Sequence, residues 1–191
     1  MAQTKSISTT QRSCRAALFA ARRTRRGGSR RSFGDDGSLT KADQRLKHST
    51  LLEVRASRVH GLGVFAAKSI RKGTRIIEYT GKRILWNDVP DDLDDPHTFL
   101  FGLDDGVHVI DPAIGGNEAR WINHSCQPNC EAIEEEDERV FIYALRDLRP
   151  GEELFYDYAL EMDEPVTEQL KKDCECFCGV PECRRTMLSV K

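Results

Sequence analysis

A chain of 191 residues, 39% hydrophobic and 31% charged, has the length of one domain with extensions and the composition for a modest core. It contains no run of 18 apolar residues, which excludes an ordinary transmembrane helix. The net charge of -2 conceals a split, because residues 1–33 take nine of the 29 basic residues and no acid, leaving 20 basic against 31 acidic residues, a net of -11, in a body that attracts basic protein and disfavours nucleic acid.

In chain order, residues 1–48 read as a basic arm and linker. Arg22, Arg23, Arg25, Arg26, Arg30 and Arg31 form a like-charge block of the kind that stays disordered. Nucleic-acid contact is expected, if anywhere, through this arm. The apolar run Ala16–Ala21 is too short for a secretory signal, so an intracellular chain is expected. The folded part begins near Ser49. Leu51–Arg55, Val64–Ala66, Thr74–Tyr79 and Gly81–Leu85 read as short strands, with Arg71-Lys72-Gly73 as a turn. Pro90–Pro96, with four Asp residues, reads as a loop. Thr98–Leu103 and Val107–Ile110 flank a hairpin signal at Asp104-Asp105-Gly106. A helical turn near Asn117–Ile122 is followed by Glu131–Ile133 and Arg139–Ala144, which enclose the acidic run Glu134–Glu138, read as a solvated hairpin tip. Glu153–Tyr158 reads as a further strand, and residues 163–172 read as helical. Many short strands without βαβ alternation argue a mainly β fold and against a Rossmann-type enzyme.

Four stretches carry chemistry. Arg120–Cys130 is dense in polar and thiol groups yet contains the apolar pair Trp121-Ile122, a mixture that suits a buried polar site. Its Asn123 and His124 offer donors and acceptors, and a loop with a satisfied histidine explains them equally well. His60–Phe65 places Gly61 and Gly63 ahead of a strand, where backbone can approach a ligand closely, although a plain turn has the same signature. On a strand, Tyr156 and Tyr158 share one face and could line a channel for an amine. Cys176, Cys178 and Cys183 give a C-x-C-x4-C pattern that suits tetrahedral zinc and a reducing compartment. The fourth ligand is Cys174 by proximity or Cys126 if the tail folds over the central stretch.

Together these residues resemble the SET domain family of protein-lysine methyltransferases. The resemblance rests on His60–Phe65 (HGLGVF), Glu78–Gly81 (EYTG), Arg120–Cys130 (RWINHSCQPNC), Gly151–Tyr158 (GEELFYDY) and the cysteine tail, which resembles a post-SET segment. It covers roughly residues 50–188, in family order, and divides the chain into a SET domain at 49–161 and a post-SET zinc segment at 162–191. It implies a β-clip of small curved sheets with a pseudoknot, short helices and a zinc-binding tail. It implies S-adenosylmethionine as cofactor, held by Gly61, Leu62, Gly63, Phe99, Arg120, Asn123, His124, Tyr158 and Leu188. Tyr158 matches the catalytic tyrosine, Tyr79 lines the lysine channel, and Tyr156 stands where a tyrosine accompanies mono- or dimethylation. Cys126, Cys176, Cys178 and Cys183 match the zinc ligands, leaving Cys174 spare, and the zinc is structural.

Three departures stand out. Phe99 lacks a hydroxyl often present there, Met187-Leu188 replaces an aromatic near the end of the tail, and no cysteine-rich segment precedes the domain, so a second zinc cluster is not expected. The implied function is methyl transfer to a lysine of a basic protein, histone or histone-like, by a monomer in the cytoplasm or on chromatin. The alternative is a non-catalytic SET-like zinc module that binds basic peptides. The presence of Asn123, His124 and Tyr158 favours the enzyme.

Overall fold

The computed structural model describes residues 51–89, 99–161 and 165–189. The arm at 1–48 and the acidic loop at 90–96 lie outside the described residues. Among the described residues ten strands form four small sheets, joined by a few helical turns. β1 (Leu52–Ala56) pairs antiparallel with β2 (Leu62–Ala66). β3 (Arg75–Tyr79), β9 (Val140–Ala144) and β8 (Cys130–Glu134) make a three-stranded sheet with β9 central. β4 (Lys82–Leu85), β6 (His108–Asp111) and β5 (Phe101–Gly102) make another. The fourth sheet is a two-residue parallel pair, β7 (Asn123–His124) with β10 (Phe155–Tyr156). This is the mainly β clip of small sheets that the resemblance implies.

Local sequence explains most of these strands. β9 is Val-Phe-Ile-Tyr-Ala, rich in the branched and aromatic side chains that fit a pleated surface. In β3 two consecutive isoleucines, Ile76 and Ile77, are both buried, which strict alternation forbids. A register shift between Arg75 and Ile77 against β9 resolves this, because a bulge puts two residues opposite one. The main core gathers Val64, Ile76, Ile77, Ile122, Val140, Ile142, Leu148 and Leu154. A second, smaller cluster joins Leu160, Leu170, Cys174 and Leu188. Helix α1 (Glu168–Asp173) brings Leu170 to it, capped by the Thr167 hydroxyl accepting from the Leu170 amide at 3.1 Å. Among the described residues no helix is long and apolar enough to cross a membrane.

The acidic run Glu134–Glu138 is less solvated than its sequence suggests. Glu134 accepts the Asp104 amide at 2.7 Å, Glu135 binds Arg75 and the Tyr143 hydroxyl, and Glu138 binds Arg83. Only Glu136 and Asp137 face water without joining these strands together, so the tip works as a clamp over β3, β4 and the β5–β6 turn. The charge pattern misleads because the basic partners, Arg75 and Arg83, lie some 50–60 residues earlier in the chain.

Candidate active site

β7 and β10 interlock. The Ser125 amide donates to the Tyr156 carbonyl at 3.2 Å and the Asn129 amide to the Phe155 carbonyl at 3.2 Å. Residues 123–129 therefore curl around 155–158 and hold them from both ends. Asn129, 3% exposed, completes the lock with its side chain. Its Nδ2 donates to the Glu153 carbonyl at 2.7 Å, and its Oδ1 accepts the Phe155 amide at 2.8 Å. A side-chain amide here does the work of a missing strand neighbour, satisfying backbone that burial would otherwise orphan.

The interlock delivers the tyrosines. The regular strand ends at Tyr156, two residues short of the expected span, yet the rings of Tyr156 and Tyr158 lie 4.9 Å apart. Phe101 lies 6.4 Å from Tyr156 and 5.1 Å from Tyr79, so Tyr79, Phe101, Tyr156 and Tyr158 form one aromatic wall. The Tyr158 hydroxyl donates to the Ile122 carbonyl at 2.9 Å, and the Tyr79 hydroxyl donates to the Phe99 carbonyl. Each hydroxyl hydrogen is thus committed to backbone, which leaves its oxygen lone pairs for another donor. The Tyr156 hydroxyl makes no hydrogen bond among the described residues, and the residue is only 6% exposed. Burial pushes all three phenols above their ordinary range, Tyr79 and Tyr156 with added repulsion from Tyr158. They remain neutral at physiological pH, which suits them as hydrogen-bonding oxygens and not as bases.

The Gly61–Gly63 stretch lies beside Asn123. Asn123 Nδ2 sits 2.9 Å from the Leu62 carbonyl, 3.3 Å from the His60 carbonyl and 3.0 Å from Glu153 Oε1. An amide nitrogen has two hydrogens, so three oxygens around it leave acceptor capacity unused. Gly61 adopts φ +47, and a Cβ on Gly63 would stand 2.2 Å from Glu153 Oε1. Glycine at 63 is what lets the Glu153 carboxylate reach this cradle. Leu62 is 41% exposed next to it, an apolar side chain open to a ligand.

Arg120 donates to the Pro112 carbonyl at 3.2 Å and lies over the Trp121 ring, and its buried Nε has no hydrogen-bond partner among the described residues. Phe99 meets the same Trp121 ring edge-on at 4.9 Å. Leu188 is 1% exposed, enclosed with Leu160, Leu170 and Cys174, and Tyr158 and Met187 pack against that cluster. The structure thus sets Asn123, Gly61, Leu62 and Gly63 together, and places Arg120 and Phe99 around Trp121.

His124 is 4% exposed. Its Nδ1 accepts the Tyr158 amide at 3.1 Å, so the proton of the neutral ring is on Nε2, which lies 3.5 Å from Cys126 Sγ. Burial is the main cause holding its pKa down to about 4; Arg184 acts the same way and Asp157 opposes them. Asp157 stays below the ordinary carboxylate range despite burial, because Arg184 grips it through both guanidinium NH2 groups, at 2.5 and 2.7 Å.

Cys126, Cys176, Cys178 and Cys183 bring their sulfurs within 4.8 Å of one another. Cys126 Sγ is 3.7 Å from Cys176 Sγ and 3.9 Å from Cys183 Sγ. A tetrahedron built on a zinc–sulfur bond of about 2.3 Å has edges of about 3.8 Å, so the donor set fits such a metal. Backbone amides of Cys178, Arg184 and Arg185 point at three of the sulfurs, at 3.3–3.4 Å, as donors stabilising thiolates. Cys174 stands outside this group, in the small apolar cluster.

Glu153, Asp157 and Arg184 were not among the site residues expected from sequence. Glu153 had one signal, the missing side chain at Gly63, since β2 runs beside it through a Phe65–Glu153 bridge. Asp157 and Arg184 had none beyond opposite charge, because 27 residues separate them.

A profile of the SET domain matches residues 61–159 of this chain. The chain is 34% identical over 166 residues to an H3 lysine-4 specific histone-lysine N-methyltransferase of Neurospora crassa, covering 81% of this chain and 12% of that protein. It is 41% identical over 138 residues to one of the same name from Schizosaccharomyces pombe, covering 67% and 14%. It is 37% identical over 140 residues to the histone-lysine N-methyltransferase trr of Drosophila melanogaster, covering 69% and 6%. The chain thus spans a small part of the length of these relatives.

Proposed function

Because this chain belongs to the SET domain family, we propose that it is an S-adenosylmethionine-dependent protein-lysine N-methyltransferase acting on a histone or histone-like protein. The observation that carries this reading is the aromatic wall of Tyr79, Phe101, Tyr156 and Tyr158, set against the Asn123–His124 strand. The cofactor supplies a methyl group on a cationic sulfur. The oxygen cradle of His60, Leu62 and Glu153 around Asn123 suits the ammonium of its amino-acid end, and Arg120, Phe99, His124 and Leu188 would complete its surroundings.

The chain's own residues then have two tasks. A lysine with an unperturbed pKa of about 10.4 costs roughly 4–5 kcal/mol to neutralise near pH 7. The buried aromatic wall lowers that cost by stripping water from the ammonium. Tyr158 and Tyr79, neutral and with their hydrogens tied to the Ile122 and Phe99 carbonyls, offer oxygens that orient the incoming amine. Tyr156, with a free hydroxyl, retains a water or the amine itself and limits the reaction to one or two methyl groups. The four thiolates suit structural zinc, since a closed four-thiolate site has no position open for chemistry. We assign 49–161 to the SET domain and 162–191 to the post-SET segment.

The names of the relatives and the excess of acid over base after residue 33 support a basic histone tail as substrate, met on chromatin. The test is transfer of labelled methyl from the cofactor to a panel of histones by the wild type and Tyr158→Phe. Transfer by the wild type and a loss of about 100-fold or more in the variant, with the fold and bound zinc retained, are expected. Full activity in Tyr158→Phe removes that residue from its role.

A further inference from the structure

We propose that His124 is a positioning residue that ties Tyr158 to the four-cysteine cluster, so that metal binding in the tail sets the placement of the phenol. This rests on the reading of Tyr158 as an active-site tyrosine and of the thiols as a metal site. Hydrogen bonds link Tyr158, His124, Cys126, Arg184 and Asp157 in turn, and the peptide between Asp157 and Tyr158 closes the loop. The Tyr158 amide donates to His124 Nδ1 at 3.1 Å, and Nε2 of the same imidazole faces Cys126 Sγ at 3.5 Å. The Arg184 amide donates back to Cys126 Sγ at 3.4 Å. The Arg184 guanidinium holds both oxygens of Asp157, whose Oδ1 also accepts the Ala159 amide at 3.0 Å and lies 3.5 Å from His124 Nδ1. Tyr158 is thus flanked by two anchored neighbours, Asp157 and Ala159, and anchored itself through the imidazole.

The direction of each bond follows from the chemistry of the ring. A neutral imidazole has one acceptor nitrogen and one donor nitrogen. The Tyr158 amide takes the acceptor, so the donor points at sulfur. A metal-bound thiolate carries negative charge and accepts that N–H better than a thiol does. Binding of metal therefore tightens the Cys126–His124 bond, fixes the ring and, through Nδ1, fixes the backbone of Tyr158. Loss of metal leaves that buried N–H facing a thiol, a weaker acceptor, and the ring and Tyr158 loosen together.

The experiment uses the full chain and separates the two bonds. His124→Asn keeps an acceptor near Nδ1 and lacks the reach to Cys126; His124→Gln keeps a donor near Nε2. In the zinc-loaded wild type, chelation should speed hydrogen exchange at the Tyr158 amide about tenfold or more while the Ile142 amide in β9 is unchanged. In His124→Asn that response should vanish. With Co(II) in the site, the thiolate charge-transfer band should shift in His124→Asn and stay near wild type in His124→Gln. His124→Asn should also lower kcat about tenfold. Equal metal sensitivity of the Tyr158 amide in wild type and His124→Asn overturns the proposal, as does an unshifted Co(II) band. Absence of transferase activity in the wild type would refute the enzymatic reading alone, because exchange and spectrum report the link without turnover.

Discussion

Tyr156 and Tyr158 sit side by side with different commitments. Tyr158 spends its hydrogen on the Ile122 carbonyl, whereas the Tyr156 hydroxyl has no partner among the described residues. On the proposed function, a free hydroxyl in this aromatic wall would hold water or amine and take up the room an additional methyl needs. Tyr156→Phe should therefore shift products toward trimethyllysine with a comparable rate of first transfer, measured by the mass of the product lysine. An unchanged product ratio would show that Tyr156 does not limit methyl number. Gly63 is as specific. A methyl there would collide with the Glu153 carboxylate at 2.2 Å and expel it from the Asn123 cradle. Gly63→Ala should weaken cofactor binding about tenfold, equivalent to about 1.4 kcal/mol, by calorimetric titration. Affinity equal to wild type would remove Glu153 and the cradle from cofactor binding.

The parallel pair β7–β10 is only two residues long on each side, too short to persist by its own ladder. Asn129 makes it durable by bonding the Glu153 carbonyl and the Phe155 amide in a buried place. Asn129→Ala leaves both backbone groups unpaired, a cost of about 2–5 kcal/mol. Thermal unfolding should drop by roughly 4–20 °C, and a change under a degree would contradict the role given to Asn129. The longer hairpins, such as β8–β9, were legible in the sequence because branched and aromatic side chains flank a turn. β7 was not, since Asn-His has no strand pattern and its partner lies about thirty residues on. The cysteine pattern was legible as a metal site, but composition left Cys174 and Cys126 as rivals for the fourth ligand. The resemblance favoured Cys126, and the fold gathers Cys126 with the other three.

Three distant stretches, Arg120–Cys130, Gly151–Tyr158 and the cysteine tail, meet only when the whole chain has folded. The tail reaches the core through the Cys126 thiol and the Arg184–Asp157 pair, and by the parallel bridge of Leu160 to Leu188. Such convergence is invisible to periodicity, which reports on neighbours a few residues apart. Family resemblance supplied it for the motifs, and missed Glu153, Asp157 and Arg184. The clamp of Glu134, Glu135 and Glu138 is a similar case, since its partners belong to other sheets. On the proposed function, this assembly holds a neutral lysine amine in line with a methyl donor. The most direct test is tandem mass spectrometry of histones incubated with the full chain and isotopically labelled S-adenosylmethionine. Label should appear on lysine Nζ as mono- and dimethyl forms, and should be absent with Tyr158→Phe. Label found on another side chain, or none on any histone lysine, would contradict it.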